Sequence, residues 1–246
     1  MSKTTTTEEG PEIPVHVIHI IDRSGSMSGR RRAVVDGMNS FLTEQKAKPG
    51  KCRITIVSFD SDGYPAATIN YRVHQDAVKL ANVPAFTVEE YVPSGGTPLF
   101  DSEARAIHAG IARERSRAAA GKPEEAVIVV SWTDGMENTS TEYTADTLAS
   151  LKKEREEAGW TFIQQGLGFD AREQAAASGT HVTNTVSYGG GEEGVAMAFA
   201  GTSAVISNYR GAASKGRRSV LRSASTDVYT ALDMDKPADD EAVVSK

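Results

Sequence analysis

Three short stretches of this chain carry oxygen-bearing side chains at spacings that suit a hard divalent cation. The first is Asp22-Arg23-Ser24-Gly25-Ser26, directly after the apolar run of residues 15–21. Alternation turns Asp22, Ser24 and Ser26 toward one point while Arg23 and Gly25 face away. The second stretch is Gly95-Gly96-Thr97-Pro98, and the third is Thr133-Asp134-Gly135. Two carboxylates and three hydroxyls, completed by water, suit the octahedral shell that magnesium demands and manganese accepts. The set holds no imidazole or thiolate, which argues against zinc.

The elements that must position these residues alternate along the chain. Residues 15–21 read as a strand buried on both faces. Ser28 is placed to cap a helix whose apolar residues Val34, Val35, Met38, Phe41 and Leu42 recur at helical spacing. Residues 52–59 form a second strand, and Asp60-Ser61-Asp62-Gly63 reads as a turn into a third near 66–73. Residues 74–92 fit a short helix and a strand equally well. Pro98 opens a helix running to about Ala120, followed by the strand AVIVVSW at 126–132. A helix at about 144–158, a strand at 161–167 and a short helix opened by Asp170 come next. HVTNTV reads as the last strand, and a helix covers about 192–209.

This alternation predicts an α/β fold: a doubly wound, mostly parallel six-stranded sheet of order 3-2-1-4-5-6, flanked by helices, with one antiparallel edge strand. In that order the first and fourth strands are neighbours, and loops at their carboxyl ends open a crevice. Asp22, Ser24 and Ser26 leave the first strand there and Asp134 leaves the fourth. Thr97 reaches the same place from its glycine loop, where Gly95 and Gly96 allow close backbone approach. Residues 1–13 read as a flexible arm, 14–210 as one domain, and 211–246 as a largely disordered charged tail.

On these residues the sequence resembles a von Willebrand factor A domain with a complete metal-ion-dependent adhesion site. Asp22, Ser24 and Ser26 match the Asp-x-Ser-x-Ser signature, Thr97 the family threonine and Asp134 the last aspartate. The form DRSGSM is similar to stand-alone members from bacteria and phages. The resemblance implies that the serines and the threonine contact Mg2+ or Mn2+, with the aspartates acting directly or through water. It also implies an open coordination position that takes a Glu or Asp carboxylate of a partner protein. Family partners include AAA+ ATPases and stress-response proteins. The implied function is metal-dependent protein binding, without catalysis.

Composition is consistent with this. The 246 residues carry a formal net charge of -6, which lacks the basic field of a nucleic-acid binder. The lone cysteine, Cys52, lies in a strand and suits a reducing cytoplasm as a buried, inert thiol. No apolar run is long enough to span a membrane. His16 and His19 read as strand residues with polar partners rather than ligands. Two alternatives are weaker. Gly166-Leu167-Gly168 and Gly189-Gly190-Gly191 have nucleotide-like spacing, but the first comes late in the chain and the second carries Glu192 and Glu193 where a pyrophosphate would lie. A metal-dependent phosphoester hydrolase would lack a histidine base in these loops, and His108 reads as a surface helix residue.

Overall fold

The structure, a computed structural model, describes residues 10–62 and 68–216. Six strands form one sheet: β1 (Val15–Asp22), β2 (Cys52–Asp62), β3 (Thr68–Lys79), β4 (Ala126–Thr133), β5 (Thr161–Leu167) and β6 (Thr185–Tyr188), in the order β3-β2-β1-β4-β5-β6. All neighbours are parallel except β2 and β3. The central strand β1 pairs Val15 with both Cys52 and Ala126, so the carboxyl ends of β1 and β4 emerge side by side.

Among the described residues five helices cover the two faces: α1 (Arg31–Lys46), α2 (Leu99–Ala119), α3 (Ala145–Glu157), α4 (Arg172–Ala177) and α5 (Glu192–Ser214). Strand alternation divides the core accordingly. Val17, Ile21, Ile54, Ile128 and Trp132 pack with Met38 and Phe41 of α1 and Phe199 and Ile206 of α5. Ile18, Ile20, Val57, Val129 and Phe162 pack with Leu99 and Ile107 of α2 and Leu148 of α3. Gly37 lets α1 and α5 approach, since a Cβ there would sit 2.3 Å from the Phe199 ring. That ring stacks on Trp132 at 4.0 Å.

Several boundaries differ from the sequence reading. Ser28 caps nothing: Gly25–Arg30 is a 3-10 turn in which the Ser28 hydroxyl donates to Gly25 O, and α1 starts at Arg31. Asp60, Ser61 and Asp62 continue β2, and Gly63 lies outside the described residues. The ambiguous stretch resolves as the end of β3 and a short 3-10 turn at Leu80–Asn82. Val182–Asn184 is another 3-10 turn, which leaves β6 only four residues long. At the chain ends, Ile13 is buried and donates its N–H to Ala213 O, while α5 continues to Ser214. Of the proposed tail, residues 217–246 lie outside the described residues.

The strand histidines have polar partners. His16 Nε2 meets Thr55 Oγ1 at 2.8 Å, and His19 Nδ1 accepts from Trp132 Nε1 at 3.2 Å. Cys52 is buried and free, and burial pushes its thiol up to about 11. Among the described residues no helix is long and apolar enough to cross a membrane.

Candidate metal centre

The end of β1 turns sharply because Asp22 accepts its own chain. Asp22 Oδ1 takes the Ser24 N–H at 2.7 Å, and Oδ2 takes the Thr133 hydroxyl at 2.7 Å from the end of β4. The carbonyl of Asp22 accepts from Tyr91 Oη at 2.5 Å. Asp22 is wholly buried, and burial pushes its carboxyl up to about 6, partly offset by the bonds from Ser24 and Thr133.

From Asp22 the polar groups continue as a chain. Ser24 Oγ lies 3.1 Å from Ser26 Oγ, and Ser26 Oγ donates to Asp134 Oδ1 at 2.6 Å. Asp22, Ser24, Ser26 and Asp134 are thus linked directly, although 108 positions separate Ser26 from Asp134. Thr97 joins through its backbone. Its N–H donates to Asn138 Oδ1 and its carbonyl accepts the Asn138 N–H, so the glycine loop is tied to the segment after β4. Gly25 N–H donates to Gly95 O, and Ser94 N–H to Arg23 O, which ties the glycine loop to the first loop as well.

Gly95 is required there. It has φ +62°, and a Cβ would lie 1.7 Å from Ser61 O. Gly95→Ala should cost about 2–4 kcal/mol, combining a clash with a left-handed backbone. Urea unfolding measures it, and a change within experimental error would contradict this packing.

Residues that sequence reasoning missed complete the frame. Arg23, assigned no role, forms a buried ion pair with Asp60 at 2.8 Å and so holds the first loop to the end of β2. Glu137 accepts the N–H groups of Phe100, Thr139 and Ser140, and Asp101 accepts those of Thr141, Glu142 and Tyr143. These two carboxylates brace the loop after β4 against the first turn of α2. Arg30 is the largest omission. Its Nη1 lies 2.5 Å from Asp134 Oδ2, and its Nε donates to Gly190 O at 2.7 Å. No local pattern announces such contacts, because the partners stand 104 and 160 positions away.

Arg30 also accounts for two of the nucleotide-like glycines, Gly168 and Gly190. A Cβ on Gly168 or Gly190 would fall 2.8 or 2.5 Å from Arg30 Nη2, so these loops are shaped around a side chain of this protein. His108 is exposed on α2 and pairs with Tyr143 Oη at 2.6 Å.

The donor set fits a hard divalent cation. Among the described residues no group of three or more His, Cys, Asp and Glu side chains is placed to hold a metal, so a cation must use hydroxyls as well. Asp22, Ser24, Ser26 and Asp134 supply oxygens at one place, two of them neutral, and Thr97 stands on the adjoining loop. Arg30 already balances one carboxylate oxygen, which lowers the negative charge that a cation would meet.

Comparison with known proteins supports the architecture. No protein-family model and no curated protein matches the sequence. Among solved structures, the chain is similar to the pilus adhesin SpaC from Lactobacillus rhamnosus GG, with 14% identity and TM-score 0.56 over 81% of this chain and 31% of that one. It is also similar to a von Willebrand factor type A protein from Catenulispora acidiphila, with 15% identity and TM-score 0.50 over 78% of this chain and 42% of that one. The chain therefore spans less than half of either structure. The likeness is one of fold: a Rossmann-like sheet of the von Willebrand factor A type.

Proposed function

We propose that this protein is a divalent-cation-dependent protein-binding module that performs no catalysis. Mg2+ or Mn2+ would be held by Asp22, Ser24, Ser26, Thr97 and Asp134. The observation that carries the reading is the continuous contact Asp22–Ser24–Ser26–Asp134 at the point where β1 and β4 end. When bound, the cation would offer an open position to a Glu or Asp carboxylate of a partner protein. Taking that carboxylate out of water is costly unless a positive charge compensates. Two neutral hydroxyls and an Arg30-balanced Asp134 leave the cation most of its charge, which suits that role. The likeness to a pilus adhesin agrees with an interaction role. A cytoplasmic setting and an AAA+ ATPase or stress-response partner belong to the same proposal.

Capture of partners on the immobilised chain with Mg2+ or with EDTA tests the reading. Capture should require Mg2+ and disappear with EDTA; prey unchanged by EDTA would contradict it. The same preparation should release no phosphate from a generic phosphoester.

Arg30 supplies a second test. Its guanidinium competes for Asp134 and repels an incoming cation. Arg30→Gln should therefore tighten Mn2+ binding on the order of tenfold, the effect of about one like charge at close range. Equal or weaker binding in a calorimetric titration would count against a cation beside Asp134.

A further inference from the structure

At the opposite pole, where the parallel strands begin, a cleft of about 470 Å³ carries a marked excess of positive charge. Among the described residues seven basic side chains line it against one carboxylate, Glu125, in a chain whose formal net charge is -6.

The floor of the cleft is already organised. Buried Glu125 accepts Nε and Nη2 of Arg113 at 2.9 Å each, with Arg117 Nε at 3.2 Å and Arg53 Nε at 3.9 Å. Three guanidiniums share one carboxylate, so Arg53 and Arg117 leave net charge on the cleft wall. Arg210, 2% exposed, donates to Gln45 and to the carbonyls of Lys48, Pro49 and Gly50. All these acceptors are neutral, and among the described residues its Nε–H has none. The bonds shape the loop that carries Lys48 and Lys51. Lys51 is matched by Glu12 at 3.0 Å, whereas among the described residues Lys46 Nζ donates to the neutral Val83 carbonyl. A neighbour registers the same field. His16 is held down to about 3, first by burial and then by the charges of Arg113, Arg53 and Arg117.

Size and chemistry select the ligand. A concavity of this volume takes a small molecule. Planar guanidiniums match phosphate oxygens in pairs, while ammonium groups add point charges around them. Leu80, Ala81 and Pro123 provide an apolar margin. The geometry points to a binding site for a condensed phosphate, free or carried by a nucleoside, between the α1–β2 loop, the end of β3 and the end of α2. This site is independent of the cation centre.

Calorimetric titration of the full chain with sodium tripolyphosphate, free of divalent cations and at low ionic strength, tests the assignment. One saturable site is expected, at least about tenfold tighter than for sulfate. The exposed pair Lys48→Glu and Lys79→Glu, introduced together, should weaken it by at least about tenfold with the circular dichroism spectrum unchanged. Asp22→Asn, at the other pole, should leave it unaltered. A parallel arm with ATP separates the sources: equal affinity means that the phosphate chain alone is read, and tighter binding means that a nucleoside is held as well. Absence of saturation by about 1 mM, no effect of the double substitution, or equal binding of a polyglutamate peptide would each overturn it.

Discussion

Asp22→Asn will abolish cation binding while leaving the fold intact. Loss of outer-shell partners alone typically costs metal sites about 10–100-fold, so losing a charged group of the set should cost at least about 100-fold. Stability should move the other way or not at all. The amide can still accept the Ser24 N–H, and the Thr133 hydroxyl can turn to accept from the new NH2. The change also removes a buried carboxylate whose ionised form burial disfavours. A Tm equal to or above that of the native chain, with no cation response, marks Asp22 as functional. Unaltered Mn2+ affinity would remove it from the site; an unfolded variant would make it structural.

Acid will destabilise the protein as pH falls below about 6.5, the ordinary histidine value. His16 and His19 are buried, and burial holds both at about 3, against an ordinary 6.5. His74 is held at about 4, again chiefly by burial. Between these values and 6.5 the unfolded chain binds more protons than the folded one, so stability is complete above 6.5 and falls as pH drops below it. Each fully buried histidine contributes a slope of about 1.4 kcal/mol per pH unit. Asp22 acts in the opposite sense: raised to about 6, it takes up a proton in the folded state first and offsets about one histidine between 6 and 3.8. Asp60 and Glu156, also raised by burial, act in the same sense as Asp22, while His74 joins the two fully buried histidines, and the expected balance is a net loss on acidification. Urea unfolding at stepped pH should show it, and His16→Gln should flatten the slope. A stability that holds constant from pH 6.5 to 4.5 would contradict the burial of these rings.

The parallel architecture was legible because β1 and β4 are buried on both faces and so appear as largely apolar runs, interrupted in β1 by His16 and His19; β5 is buried as fully but carries Gln164 and Gln165. Their order places the Asp22 and Asp134 loops side by side, which the strand and helix alternation alone implies. Residues 74–79 resisted for a physical reason. The β2–β3 register shifts at Ile54/Ile56 and Ile56/Val57, and Ala77 takes φ +46°, so alternation fails along β3. HVTNTV has strand composition throughout, yet only Thr185–Tyr188 finds a partner on β5, and the residues before it coil into a 3-10 turn. Asp60 looked like a turn residue because its partner, Arg23, comes from another strand end. Arg30 was invisible for the same reason: its contacts join three loops far apart in sequence.

The central claim is that these loops hold one hard cation, and an electron paramagnetic resonance titration of the full chain with Mn2+ tests it most directly. The account predicts one saturable Mn2+ site per chain, displaced by Mg2+ and absent in Asp22→Asn. A spectrum that shows only free Mn2+, or a bound ion retained by Asp22→Asn, would contradict it.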